Sequence, residues 1–134
     1  MFMLLLIILI FLYFCSNKYE DFKIKHKIFI KKTFRTLNEK RKGLMFKKKI
    51  NNNEGFLFEY KKPTKASFWM KNTFVPLDIL FLNSKKKIIG LLKNMKPHDM
   101  EIKTIDKKAK YAIEIKSGYI DKYNIKEGIY VEFT

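Results

Sequence analysis

The residues best suited to chemistry in this 134-residue chain lie between positions 68 and 82. The only tryptophan, Trp69, is followed by Lys71 and Asn72, and Asp78 interrupts the apolar run Leu77-Asp78-Ile79-Leu80-Phe81-Leu82. A carboxylate inside such a run must find hydrogen-bond donors or take up a proton, because an unpaired buried charge is costly. The nearest donors along the chain are Asn72, Thr73 and the amides of the turn before Pro76, with Lys71 and Arg41 as candidate counter-ions. Asp78 then either locks that turn or orients a polar pocket with Lys71 and Asn72.

A strand over 65–71 would put Ser67, Trp69 and Lys71 on one face and Phe68 and Met70 on the other. The second face has the composition of core. Trp69, beside a cation, has two uses: a stacking platform for a ligand, or an indole packed by a loop with Lys71 snorkelling over it. Arg41 is one of only two arginines among 29 basic residues. It is a candidate for a guanidinium-specific contact, or for a salt bridge to Glu54 or Glu114. Alternation along 110–116 turns Glu114 outward, where a solvated carboxylate is the default. The expected ligand-binding set is therefore Arg41, Trp69, Lys71, Asn72 and Asp78, suited to a carbohydrate-like or acidic small ligand.

Familiar catalytic patterns are absent: the chain has no phosphate-binding glycine loop, no Gly-x-Ser-x-Gly elbow and no His-Glu-x-x-His helix. His98-Asp99 would need further ligands to hold a metal, and the only other histidine is His26. No cofactor and no metal are expected. An enzymatic alternative, a hydrolase or transferase using Asp78 or Glu54 as general base, requires a concave pocket with two carboxylates of raised pKa. The net charge of +16 suggests a third class, a polyanion or nucleic-acid binder. That class requires one contiguous face holding Lys47–Lys49 and Lys85–Lys87. The lysines are dispersed along the whole chain, which favours solvated surface, or attraction to an anionic membrane, over a nucleic-acid footprint.

The elements that must position these residues are short. Phe22, Ile24, Ile28 and Ile30 alternate with lysines as a half-buried strand. Asn38 caps a short helix over 39–45, which Gly43 weakens or ends. Strands follow at 55–60, 65–71, 77–83 and 87–93, the last two as a hairpin. Residues 94–108 form a long loop. A strand over 110–116 faces in through Tyr111, Ile113 and Ile115, Ser117 caps a helical turn to Tyr123, and 129–133 is the final strand. These predict a mainly β single domain: an antiparallel β-sandwich or partly closed barrel with one or two short helices.

Ahead of it, Met1 to Phe14 carry no charged side chain. As a helix they span about 21 Å, short of the ~30 Å hydrocarbon core, so a secretory leader fits better than a membrane span. Leu12-Tyr13-Phe14-Cys15-Ser16-Asn17 resembles a bacterial lipoprotein processing site, although Phe14 stands where a small residue is usual. Lipidation at Cys15, a retained signal-anchor and ordinary cleavage all remain open. The expected division is a leader or anchor at 1–15, a linker at 16–21 and a β-rich domain at 22–134.

Three separated blocks resemble the family known as Domain of Unknown Function 192. They are Arg41-Lys42-Gly43-Leu44-Met45-Phe46-Lys47 with Glu54-Gly55-Phe56-Leu57-Phe58, then Phe68-Trp69-Met70-Lys71-Asn72-Thr73 with Pro76-Leu77-Asp78-Ile79, then Tyr111-Ala112-Ile113-Glu114-Ile115 with Gly118 and Ile125-Lys126-Glu127-Gly128. The chain departs from the pattern at Lys47, Phe56 and Ile129, where Arg, Met and Asp are usual. The resemblance implies a compact β-sandwich, often behind a signal or anchor sequence, with no agreed enzymatic activity. The function expected is a membrane-tethered, extracytoplasmic accessory or ligand-binding domain, with the membrane and an unknown small molecule or protein as partners.

Overall fold

A computed structural model describes residues 1–20 and 28–133. Helix α1 runs Phe2–Glu20, so the expected polar linker is helical through Glu20. Side chains 1–12 are exposed, and among the described residues no helix is long and apolar enough to cross a membrane. Phe22, Ile24 and His26, read as strand, lie outside the described residues.

The domain is mainly β. Strands β1 (Phe29–Phe34), β2 (Glu54–Thr64), β4 (Leu77–Leu82), β5 (Ile88–Met95) and β7 (Ala109–Lys116) form a five-stranded sheet in the order β1-β2-β7-β4-β5. Strands β3 (Ser67–Phe68) and β6 (Lys103–Thr104) form a separate two-stranded ribbon. Two short helices complete it, α2 (Leu37–Lys42) and α3 (Tyr119–Lys122). The sheet is open rather than closed into a barrel, and it is mixed rather than antiparallel, because β1 pairs with β2 in parallel.

Strand β4 is buried at every position, which requires cover on both faces of the sheet. On one face Leu77, Ile79 and Phe81 join Phe56, Phe58 and Phe68 in an aromatic-rich core. Phe68, carried by the small ribbon, packs edge-on between Phe58 and Phe81 at centroid distances of 5.1 and 5.6 Å. On the other face Leu80 and Leu82 meet Ile113, Ile115, Ile120 and Val131.

Local details correct several expectations. The cap of α2 is Thr36, not Asn38. Its hydroxyl accepts from the Glu39 amide while Glu39 accepts from the Thr36 amide, a capping box that fixes the helix start two residues early. Gly43 ends α2 at a φ of 46° and donates its N–H to the Glu39 carbonyl. Only Ser67–Phe68 of the expected 65–71 strand pairs, and the 94–108 loop contains β6. The segment 129–133 contributes one bridge, Lys87 to Tyr130, rather than a strand. Helix α3 has Gly118 at its N-cap with no side-chain cap of its own.

Candidate functional site

Asp78 is as buried as expected, at 1% exposure, but its partners are not the upstream turn. Its Oδ1 accepts the Asn94 amide at 2.9 Å, and its Oδ2 accepts the amides of Gly118 at 3.1 Å and Ile120 at 3.0 Å. The register between β4 and β5 slips between Leu77 and Ile79, which exposes the Asn94 amide to the carboxylate. The Gly118 and Ile120 amides belong to the start of α3, where the helix leaves donors without intrahelical partners. Ser117 closes the knot by donating its hydroxyl to Asn94 Oδ1 at 2.8 Å. Asp78 therefore ties β5, β4 and the β7–α3 junction together. Its oxygens are committed to backbone, on the sheet face opposite Phe68.

The other carboxyl is the unexpected one. Glu114 sits on β7 between Phe56 of β2 and Ile79 of β4, so its side chain points to the aromatic face rather than to solvent. It is 6% exposed, and its Oε2 is buried with no hydrogen-bond partner among the described residues. Loss of hydration alone pushes its carboxyl up to about 8 from the ordinary 4.5, so Glu114 is a neutral acid across most of the physiological range. Tyr60 feels the same environment: burial, and then the nearby Glu114, push its phenol up to about 12.

Glu114 lies in a cleft of about 370 Å³ walled by α2 and by 64–69. Arg41 and Trp69 line the cleft with it, together with Tyr60, Ser67 and Thr73. Arg41 is exposed and, among the described residues, has no anionic partner; the expected salt bridge to Glu54 or Glu114 is not formed. Trp69 is 39% exposed, with the Lys71 ammonium 5.2 Å from its ring centroid. Lys71 covers the indole without lining the cleft.

Of the five predicted site residues, the cleft thus collects Arg41 and Trp69. Lys71 is one step outside, on the indole. Asn72 serves the backbone, adopting a left-handed φ of 52° in the turn and offering its carbonyl to the Phe46 amide at 2.8 Å. Asp78 faces away. Glu54 is held by the Asn51 amide and side chain at 3.1 and 3.0 Å, and these bonds lower its pKa. Among the described residues Glu114 is the one acidic residue lining the cleft, and Asp78 and Glu54 do not join it there.

Other features stand apart from the cleft. The His98 ring meets Phe74 edge-on at 4.7 Å, and among the described residues no group of His, Cys, Asp and Glu could hold a metal ion. The Lys47 ammonium lies 5.3 Å from the ring centroid of Phe56, which pairs with Glu114 near the Lys116 end of β7. Lys85–Lys87 turn at the other end, beyond Leu82, which pairs with Tyr111. Tyr111 to Lys116 spans about 17 Å at ~3.4 Å per residue. Lys47 and the Lys85–Lys87 turn thus lie near opposite ends of the sheet.

A similar architecture occurs in two solved bacterial structures. A protein of unknown function from Novosphingobium aromaticivorans DSM 12444 is similar at 32% identity and a TM-score of 0.74, over 78% of this chain and 75% of that one. A candidate transcription regulator from Sinorhizobium meliloti 1021 is similar at 27% identity and a TM-score of 0.70, over 72% and 74%. Among curated proteins none matches. The profile of Domain of Unknown Function 192, described as an uncharacterized ACR, matches residues 22–133, and the chain belongs to that family.

Proposed function

We propose that this protein is a small-molecule binding module, tethered at the outer side of a membrane by its N-terminal segment, with the Glu114 cleft as its binding site. The single observation that carries the binding reading is the buried Glu114 carboxyl, which lines the cleft and whose Oε2 finds no hydrogen-bond partner among the described residues. Natural proteins satisfy buried polar groups at some cost to packing, so an unsatisfied one beside a cleft marks a place where a ligand completes the hydrogen bonding. The volume, about 370 Å³, falls at the lower end of small-ligand pockets. The tether rests on the exposed apolar side chains of 1–12 and on the lipoprotein-like sequence around Cys15.

Trp69 is the chain's only tryptophan and lines the cleft, so its fluorescence reports binding there without a label. A chemically diverse fragment library screened by that signal should yield binders whose affinity drops in Glu114→Gln. A library whose hits all ignore Glu114→Gln, or that leaves Trp69 unmoved, would remove the binding reading. General-base chemistry at Asp78 or Glu54 is not part of this proposal, because both spend their oxygens on nearby amides.

A further inference from the structure

The cleft's chemistry narrows the ligand. Its uncommitted polar groups are of two kinds. Along the cleft are groups that both donate and accept: the buried, neutral carboxyl of Glu114, the half-buried hydroxyl of Tyr60 and the exposed hydroxyl of Ser67, which make no hydrogen bond among the described residues. Such groups pair best with ligand hydroxyls, which also do both. At the mouth are cations. Lys40 donates to the Arg35 carbonyl at 2.9 Å and Lys65 pairs with Asp106 at 2.8 Å. Arg41 and Lys42 on α2 keep their charge free of any acidic partner among the described residues.

Between them stands the half-exposed Trp69. Lys71 lies over this indole from outside the cleft, which leaves the cleft side of the ring for a ligand. An aromatic face bordered by hydroxyl partners suits the apolar face of a sugar ring. A free guanidinium fork suits a carboxylate or phosphate.

We propose that the cleft binds an anionic sugar, a polyhydroxylated ring bearing one acid group, with its hydroxyls on Glu114, Tyr60 and Ser67, its ring over Trp69 and its acid on Arg41. This rests on the reading of the Glu114 cleft as a ligand site and adds the class of ligand. A sugar carboxylate and a sugar phosphate share the required chemistry. A neutral sugar lacks the group that Arg41 holds, and an aliphatic acid lacks the ring.

The test is a Trp69 fluorescence titration of the full chain in detergent with glucuronate, glucose 6-phosphate and glucose. At least one acid should bind about tenfold or more tighter than glucose, the effect of one charge-assisted hydrogen-bonded pair. Whichever acid binds identifies the carboxylate or the phosphate as the source. Arg41→Gln should bring that acid down to the affinity of glucose, and Tyr60→Phe should weaken acid and glucose by the same factor. Arg41 is exposed on α2, so its variant should keep the fold, and circular dichroism checks that it does. Glucose binding as tightly as both acids, or Arg41→Gln leaving the acids unchanged, overturns the anionic requirement while the cleft remains a ligand site. Silence with all three sugars overturns the inference, and the cleft itself then stands or falls on the fragment library.

Discussion

Two buried carboxyls on neighbouring strands have opposite fates, and the difference lies in the donors each one meets. Asp78 accepts three backbone amides, and Glu114 Oε2 accepts none among the described residues. Asp78→Asn presents an NH₂ group to at least one of those amides, with an expected loss of about 2–3 kcal/mol in urea unfolding, and Asp78→Ala should cost more. Unchanged unfolding in Asp78→Asn would remove the structural role. Glu114 holds its proton more tightly folded than unfolded. Stability from this group is full below the ordinary 4.5 and is lost as pH rises toward about 8, with no further change above that. The decline should be on the order of 3–5 kcal/mol between pH 5 and 8.5. Glu114→Gln should cost about 1–3 kcal/mol at pH 5, from an incompletely paired amide, and flatten the profile. The burial of Asp78 is legible from its apolar neighbours. Its donors are not, because Gly118 and Ile120 lie 40 and 42 residues away in sequence. Glu114 is misread for a different reason: alternation assigns it correctly to the side opposite Ile113, but that side is also covered. The sign of this is Leu77–Leu82, apolar on both faces, which implies a sheet buried from two directions.

Among the elements, α2 matters because it carries Arg41 and forms one wall of the cleft. It has six residues and buries none of them, so capping rather than packing holds it. Thr36→Ala removes half of the capping box and should cost about 1 kcal/mol, with weaker binding of any ligand that uses Arg41. Unaltered stability and affinity would show that another contact fixes the wall. The 94–108 segment is anchored to the sheet at Gly90, where an added Cβ would stand 2.5 Å from Ile105 Cδ1 and 3.0 Å from Ile105 Cβ. Gly90→Ala should therefore lose about 1–3 kcal/mol by overpacking, and Ile105→Ala in the same chain should recover part of it. Hairpin strands β4 and β5, and strand β7, follow directly from apolar periodicity. The reading fails where the third dimension decides. The run 65–71 has strand-like alternation, yet only Ser67–Phe68 finds a partner, and that partner comes from a stretch whose sequence reads as loop.

At the scale of the whole molecule, the mainly β class and the single domain are legible from the number and spacing of short strands. The mixed sheet is not, since nothing local to 28–34 distinguishes parallel from antiparallel pairing with β2. The lysines behind the net charge of +16 are dispersed along the sequence, which favours solvated surface over a single footprint. If Cys15 carries lipid, the mature protein should show a diacyl mass increment, and Cys15→Ser should release it from membranes. A Cys15→Ser protein that stays in the membrane fraction with its leader attached would point to a retained anchor. At this scale the two-sided cover of the sheet leaves Glu114 buried beside a cleft, neutral and without a hydrogen-bond partner among the described residues. Carbon-13 NMR of the Glu114 side-chain carboxyl, followed through a pH titration, should give a midpoint near 8. A midpoint in the ordinary carboxylate range, near 4.5, would mean that water or a counter-charge already satisfies this group and would contradict the account.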